Sequence, residues 1–262
     1  MQFPSPLLRG TLIKRYKRFL ADVTLEDGEE ITAHVANSGS MLGLNRAGME
    51  VWLSKSDNPK RKLKYSWELV RDGDGLVGVN TMHPNKLVAE AIDAGRIGEL
   101  TGYSGLRREV RYGKNSRIDI LLTDAARPDC YVEIKSVTLK RSGKADKRTD
   151  NAEFPDAVTA RGTKHLGELS DMVAAKSRAV MVYLVQREDC ESFSIADDLD
   201  PVYAETLTRA LAAGVEAICY SCKLTTEAIT LDRALRIVEQ AGLDAVVSSA
   251  LDTSLFTPPS SH

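Results

Sequence analysis

Two short apolar runs, 117–122 and 131–137, carry charges where a buried strand should carry aliphatic side chains. In Arg117-Ile118-Asp119-Ile120-Leu121-Leu122 the intruder is Asp119. In Tyr131-Val132-Glu133-Ile134-Lys135-Ser136-Val137 the intruders are Glu133 and Lys135, two apart and so on one face of a strand. Asp124-Ala125-Ala126-Arg127-Pro128-Asp129 between them is a turn sequence. A hairpin centred on Ala126 sets Asp119 opposite Glu133, with Cβ atoms about 4.5–5.5 Å apart. Carboxylates that close in apolar surroundings repel unless something neutralises them.

A divalent cation does so, and hard oxygen ligands suit Mg²⁺ (or Mn²⁺), which binds through one or two carboxylates and keeps several waters. Lys135 would then orient or help deprotonate a metal-bound water, or stabilise charge on a phosphate, parts suited to phosphodiester hydrolysis. Glu90, on a helix before these strands, is a further acidic group for the metal. The plainer alternative is an edge-strand ion pair between Glu133 and Lys135, with Asp119 capping a turn. The apolar neighbours weigh against it, because buried charges without partners are costly.

The rest of the chain divides near residue 80. Segments 7–13, 18–25, 30–35, 50–55, 63–70 and 76–80 read as short strands separated by turns such as Asp72-Gly73-Asp74-Gly75. Five or six short strands without a helical pattern predict a small closed barrel of OB-like type over 1–80. From 81 to 247 helices and strands mix. Helices are expected at 84–95, 157–175, 201–213 and 231–240, and strands at 109–112, 117–123, 131–138 and 215–224. The segment 179–186, Ala-Val-Met-Val-Tyr-Leu-Val-Gln, reads as a doubly buried central strand. The second unit is thus an α/β domain with a mixed sheet. The charged segment 140–151 reads as a loop, and 248–262 as a disordered tail.

Charge follows the same lopsided plan. Residues 1–179 hold 30 Lys and Arg against 24 Asp and Glu, whereas 180–262 hold 5 against 13. The first two thirds therefore suit a polyanion. Lys14, Arg15, Lys17 and Arg18, then Lys60, Arg61, Lys62 and Lys64, interleave with Tyr16, Phe19, Trp52, Tyr65 and Trp67. Aromatic faces that stack bases beside cations that neutralise phosphates describe a single-strand binder. The competing reading puts the tryptophans in the barrel core. DNA is the expected partner, single- or double-stranded, and RNA is left open.

No apolar stretch reaches the roughly 20 residues that span a bilayer, and the start lacks the pattern of a secretory signal, so a cytoplasmic address is expected. Four scattered cysteines do not make a disulfide framework.

Longer stretches of text carry a resemblance. Arg15-Tyr16-Lys17-Arg18-Phe19-Leu20-Ala21-Asp22-Val23, Asn37-Ser38-Gly39-Ser40-Met41, Gly102-Tyr103-Ser104, Ser116-Arg117-Ile118-Asp119, the run from Arg127-Pro128-Asp129 through Glu133-Ile134-Lys135 to Leu139, and Phe154-Pro155-Asp156 through His165-Leu166 together resemble the bacterial sugar fermentation stimulation protein A family over roughly 1–235. Asp119 with Glu133-Ile134-Lys135 also resembles the PD-(D/E)XK nucleases. The resemblance implies an OB-like domain followed by a nuclease-like domain, DNA binding without marked sequence preference, and a link to regulation of sugar (maltose) metabolism. Carried over, the nuclease-like site is Asp119, Glu133 and Lys135, with Glu90. The 140–151 segment is long and basic for its place, and the tail after about 240 is additional.

Arg161, Lys164 or His165, and Glu168 share a helix face that would meet a phosphate at the metal site, or else lie in solvent. His165 would be a general base or, more commonly, a packed histidine. Cys219-Tyr220-Ser221-Cys222 is a C-x-x-C placed in a strand, a poor context for redox or zinc chemistry. A helix-turn-helix in 225–247 is disfavoured by its acidic balance.

Overall fold

The computed structural model describes residues 1–113, 116–141 and 150–238. The expected tail at 248–262 and most of the charged 140–151 segment lie outside the described residues.

Six strands form the first unit: β1 (Leu8–Tyr16), β2 (Leu20–Leu25), β3 (Glu30–His34), β4 (Glu50–Lys55), β5 (Tyr65–Asp72) and β6 (Gly75–Gly78). Their order is β3-β2-β1-β4-β5-β6, and a parallel β3–β5 pairing closes five of them into an OB-like barrel. Period-two burial drives closure: Leu12 of β1, and Ala21 and Val23 of β2, point into a core that includes Leu53 and Trp67. The register slips between Trp52 and Leu53 on β4. Trp52 and Leu69, paired across that irregularity, join the core of the second unit instead.

Both tryptophans and Tyr65 are buried. The expectation that they stack bases is therefore corrected: their area is spent on the barrel core and on the joint between the units. Phe19 stays half exposed.

The second unit runs α1 (Pro84–Asp93), a 3-10 turn (Gly98–Leu100), β7 (Gly105–Tyr112), β8 (Ser116–Asp124), β9 (Arg127–Val137), β10 (Asn151–Phe154), α2 (Ala160–Ala174), β11 (Arg178–Val185), β12 (Ser192–Ile195), α3 (Pro201–Ala212), β13 (Glu216–Leu224), β14 (Ile229–Ala234) and β15 (Arg236–Ile237). The main sheet has the order β14-β13-β11-β9-β8-β7. It is mixed, because β11 runs parallel to β9 and β13 while the outer pairs are antiparallel. Central β11 is buried from Ala179 to Val185, as its unbroken apolar run predicts. One sheet face packs on α1 with Trp52 and Leu69 of the barrel, the other on α2 and α3. Strands β10, β12 and β15 form a small parallel sheet beside it.

Helix ends follow local chemistry. Pro84 opens α1, while Thr159 and Asp200 cap α2 and α3 by accepting the N–H of Gly162 and of Tyr203. The helix expected at 231–240 is absent from its described part. Ile229 and Leu231 alternate inward, and β14 pairs antiparallel with β13, so sheet pairing overrides the helical spacing of Leu231 and Leu235. Among the described residues of 225–247, β14 and β15 likewise take the place of a helix-turn-helix.

The units are clamped by Arg187, 2% exposed. Its guanidinium bonds Asp72 of the barrel at 3.0 Å, the Thr138 carbonyl at 2.9 Å and Asp189 at 2.6 Å.

Candidate functional site

The hairpin of β8 and β9 keeps the expected register: Ile120 pairs with Val132, which sets Asp119 opposite Glu133. The ladder stops there. Asp119 Oδ2 accepts the Ile134 N–H at 2.8 Å, while its Oδ1 accepts from Asn85 Nδ2 of α1 at 2.7 Å. A side chain thus replaces a strand carbonyl where the two strands part.

Glu133 is 2% exposed. Its Oε1 accepts from Lys135 Nζ at 2.8 Å and bonds His165 Nδ1 of α2. Its Oε2 is buried with no hydrogen-bond partner. Burial works to raise the Glu133 carboxyl, but the His165 bond and the Lys135 charge outweigh it and hold the group below the usual range. Asp119 shifts the other way, up to about 6, from burial first and then repulsion by Glu133. At Asp119 the Ile134 bond, the Lys135 charge and the Asn85 bond all pull the other way but are outweighed by burial and by Glu133.

These groups lie at one wall of a cavity of about 860 Å³ between the units. The barrel contributes Arg15, Arg18 and the loop from Asn37 to Ser40; the second unit contributes Arg108, Arg117 and Arg161. Asp156 holds the barrel loop: its Oδ2 accepts from Ser40 Oγ at 3.1 Å and Met41 N at 3.0 Å. A Cβ on Gly39 would stand 2.7 Å from that oxygen, so this close approach needs glycine.

The residues singled out from the sequence fall into three groups. Asp119, Glu133, Lys135, Arg15, Arg18 and Arg161 line the cavity. Arg15, however, gives its N–H groups to the carbonyls of Arg18, Asn37, Gly39 and Ser40, and so builds the loop. Lys164 turns away, bonding Ser116 Oγ at 3.0 Å and lying 3.5 Å from Glu168. The others lie off the cavity lining. Lys14 is 3.5 Å from Asp22 on the barrel, Lys17 sits in the β1–β2 turn with φ 49°, and Lys60, Arg61, Lys62 and Lys64 lie on the β4–β5 connection, where Arg61 bonds Ser66 at 2.6 Å.

Glu90 is corrected as a metal ligand. It is 2.9 Å from the Met1 amino group and 3.6 Å from Lys86. Five positions past Asn85, it sits about 140° round α1 from the residue that meets Asp119.

Asn85, Arg108, Glu109, Arg117 and Asp156 also line the cavity and were not singled out from the sequence. The Arg-rich run 107–111 was a legible signal; Asn85 and Asp156 act through long-range contacts that no local pattern marks. Cys219 and Cys222 are free, buried and in different cores on opposite sheet faces, and burial pushes both thiols up. No three His, Cys, Asp or Glu side chains among the described residues converge as a ready-made metal cage, yet the bare Glu133 Oε2 beside Asp119 fits a hard divalent ion bound mainly by water.

Fold and site define a two-unit protein, an OB-like barrel joined to a mixed α/β domain, with a carboxylate pair (Glu133 buried, Asp119 half-buried) and a lysine facing the cleft between them. Residues 13–79 match the family model described as SfsA N-terminal OB domain, and residues 82–228 that of the sugar fermentation stimulation protein RE domain. The chain belongs to the sugar fermentation stimulation protein family. It is 63% identical over 231 residues to the sugar fermentation stimulation protein homolog of Paramagnetospirillum magneticum, covering 88% of this chain and 95% of that one. It is 59% identical to the homolog of Rhodospirillum centenum, covering 90% and 99%. A solved structure, described as Pyrococcus furiosus SfsA in complex with Ca²⁺, superposes with a TM-score of 0.81 at 25% identity, over 91% of this chain and 98% of that one. No helix among the described residues is long and apolar enough to cross a membrane.

Proposed function

We propose that the cleft binds DNA without reading its sequence and that its carboxylate pair holds a divalent cation, Mg²⁺ or Mn²⁺, against the phosphate backbone. The observation that carries this reading is Glu133 Oε2, buried without a partner beside Asp119 in a cavity that also presents Arg18, Arg108, Arg117 and Arg161. A bare carboxylate oxygen asks for a cation, and the arginines ask for an anion. A cation bridging carboxylates and a phosphodiester satisfies both. The relative described as complexed with Ca²⁺ supports an oxygen-seeking dication.

The first reading is a DNA-gripping regulator, in keeping with the name carried by its relatives and with a link to sugar (maltose) metabolism. A second, active phosphodiester cleavage, is favoured by Lys135. Its ammonium is tied to Glu133 at 2.8 Å yet faces the cavity, where it would stabilise charge on a phosphate oxygen or orient a water. The bound cation would supply Lewis acidity and a more acidic water. Asp119 and Glu133 would hold it, the arginines would fix the strand, and His165 would keep Glu133 ionised and aimed.

The test is binding and cleavage of single- and double-stranded DNA, with an RNA strand alongside, in Mg²⁺ or Mn²⁺, comparing wild type with Asp119→Ala and Glu133→Ala. Metal-dependent cleavage lost in both variants establishes the enzyme. Salt-dependent binding without cleavage establishes the regulator. Neither binding nor cleavage overturns the proposal.

A further inference from the structure

Glu109 stands on edge strand β7 opposite Asp119, between the pairs Arg108↔Ile120 and Val110↔Ile118. Since Asp119 stands opposite Glu133 in turn, three carboxylates occupy one line across three neighbouring strands. The backbone at Glu109 has φ 55°, a left-handed conformation that glutamate adopts rarely. The pleat of β7 turns over at this point: Leu106 packs on the α1 side of the sheet and Val110 on the α2 side. An unfavourable backbone kept beside a cleft points to a use for the side chain it aims.

That side chain lines the cavity. Asn85 Nδ2 donates both to Glu109 Oε1 at 3.1 Å and to Asp119 Oδ1 at 2.7 Å, which brings the two oxygens within about 6 Å of each other. A neutral amide shared by two carboxylates offsets little of their charge. At the other end of the line, Glu133 is 2% exposed and its Oε2 has no donor at all.

We infer that Glu109 is a third carboxylate ligand of the cation held by Asp119 and Glu133, taking up the ion as the bridging amide of Asn85 is displaced. The inference rests on the reading of the cleft as a cation site. Glu109 is exposed, so its side chain can swing without disturbing the core. The three ligands are hard oxygens with no thiolate among them, which selects Ca²⁺, Mg²⁺ or Mn²⁺ over softer metals.

Titration calorimetry of the full chain with Ca²⁺ and with Mn²⁺, free of nucleic acid, tests this. Wild type should bind and Asp119→Asn should not. Glu109→Gln should weaken affinity about tenfold with an unchanged melting temperature, and Asn85→Ala should bind at least as tightly as wild type. Wild type that binds neither ion overturns the site reading, and this inference with it. Wild type and Glu109→Gln binding alike overturn the inference alone. A tenfold loss in Asn85→Ala overturns it too, since the amide rather than the third carboxylate would then organise the site.

Discussion

Asp119 accepts the backbone N–H of Ile134 at 2.8 Å, a bond made by a side chain at the point where the β8–β9 ladder ends. The same carboxylate therefore closes the end of the β8–β9 ladder and faces the cleft. Replacing it by Ala leaves the Ile134 N–H without its acceptor, at a cost of about 1–3 kcal/mol. Asn keeps one acceptor oxygen but points its amide at either Ile134 N–H or Asn85, so it recovers only part. Urea unfolding of the two variants should rank them wild type, Asn, Ala.

The cavity arginines are expected to carry the salt dependence of DNA binding. Each phosphate contact contributes about 0.9 to the slope of log K against log salt on duplex DNA. Arg108→Ala with Arg117→Ala should make the slope shallower by about two. The Lys60, Arg61, Lys62 and Lys64 quartet, replaced by Ala, should change it less, because none of the four lines the cavity. A larger effect from the quartet would place the DNA path over the outside of the barrel.

Arg187 and Asp189 set part of the acid stability. Burial alone would raise the Asp189 carboxyl, but bonds from Arg187 and Lys140 outweigh it and hold the group well below the usual range. A depressed carboxyl stabilises the fold fully above its unfolded value, about pH 4, and less as pH falls further. Asp189→Asn should remove that slope below about pH 4. It should also cost about 1–2 kcal/mol at neutral pH, because buried Arg187 loses one of its two carboxylate partners and keeps Asp72. Thermal melts from pH 7 down to pH 2 check both effects.

The cysteine pair should be inert. Cys219 and Cys222 lie in different cores, so no disulfide can join them without breaking β13. The melting temperature should be the same with and without reductant, and the native thiols should react with a thiol reagent only on unfolding.

The carboxylate pair was legible because Asp119, Glu133 and Lys135 break an apolar pattern on either side of a clear turn, although the register shift between Leu122 and Asp124, next to the Asp124–Arg127 pair, supplies the one-residue offset that sets Asp119 opposite Glu133. The barrel strands were legible as short runs rich in Val, Ile, Leu, Thr and aromatic residues, set apart by turn sequences such as Asp72-Gly73-Asp74-Gly75. Helix against strand at 231–240 was not, since Leu231 and Leu235 fit a helix until β13 is known to lie beside them. Glu90 misled for a related reason: an acidic residue on the right helix faces the wrong way unless the helix phase is fixed by a contact such as Asn85–Asp119. Asn85, Glu109 and Asp156 reach the site through the chain's return, so local text could not mark them.

The shared core of Trp52 and Leu69 with α1 and the main sheet bears on how such a chain can be inherited. A barrel grafted from elsewhere would bring neither the tryptophan plug nor the arginine at the cleft, and an orphaned second unit would show an apolar scar. The two modules can therefore diverge only in step, each change on one side answered on the other, and shuffling them separately would leave no working intermediate.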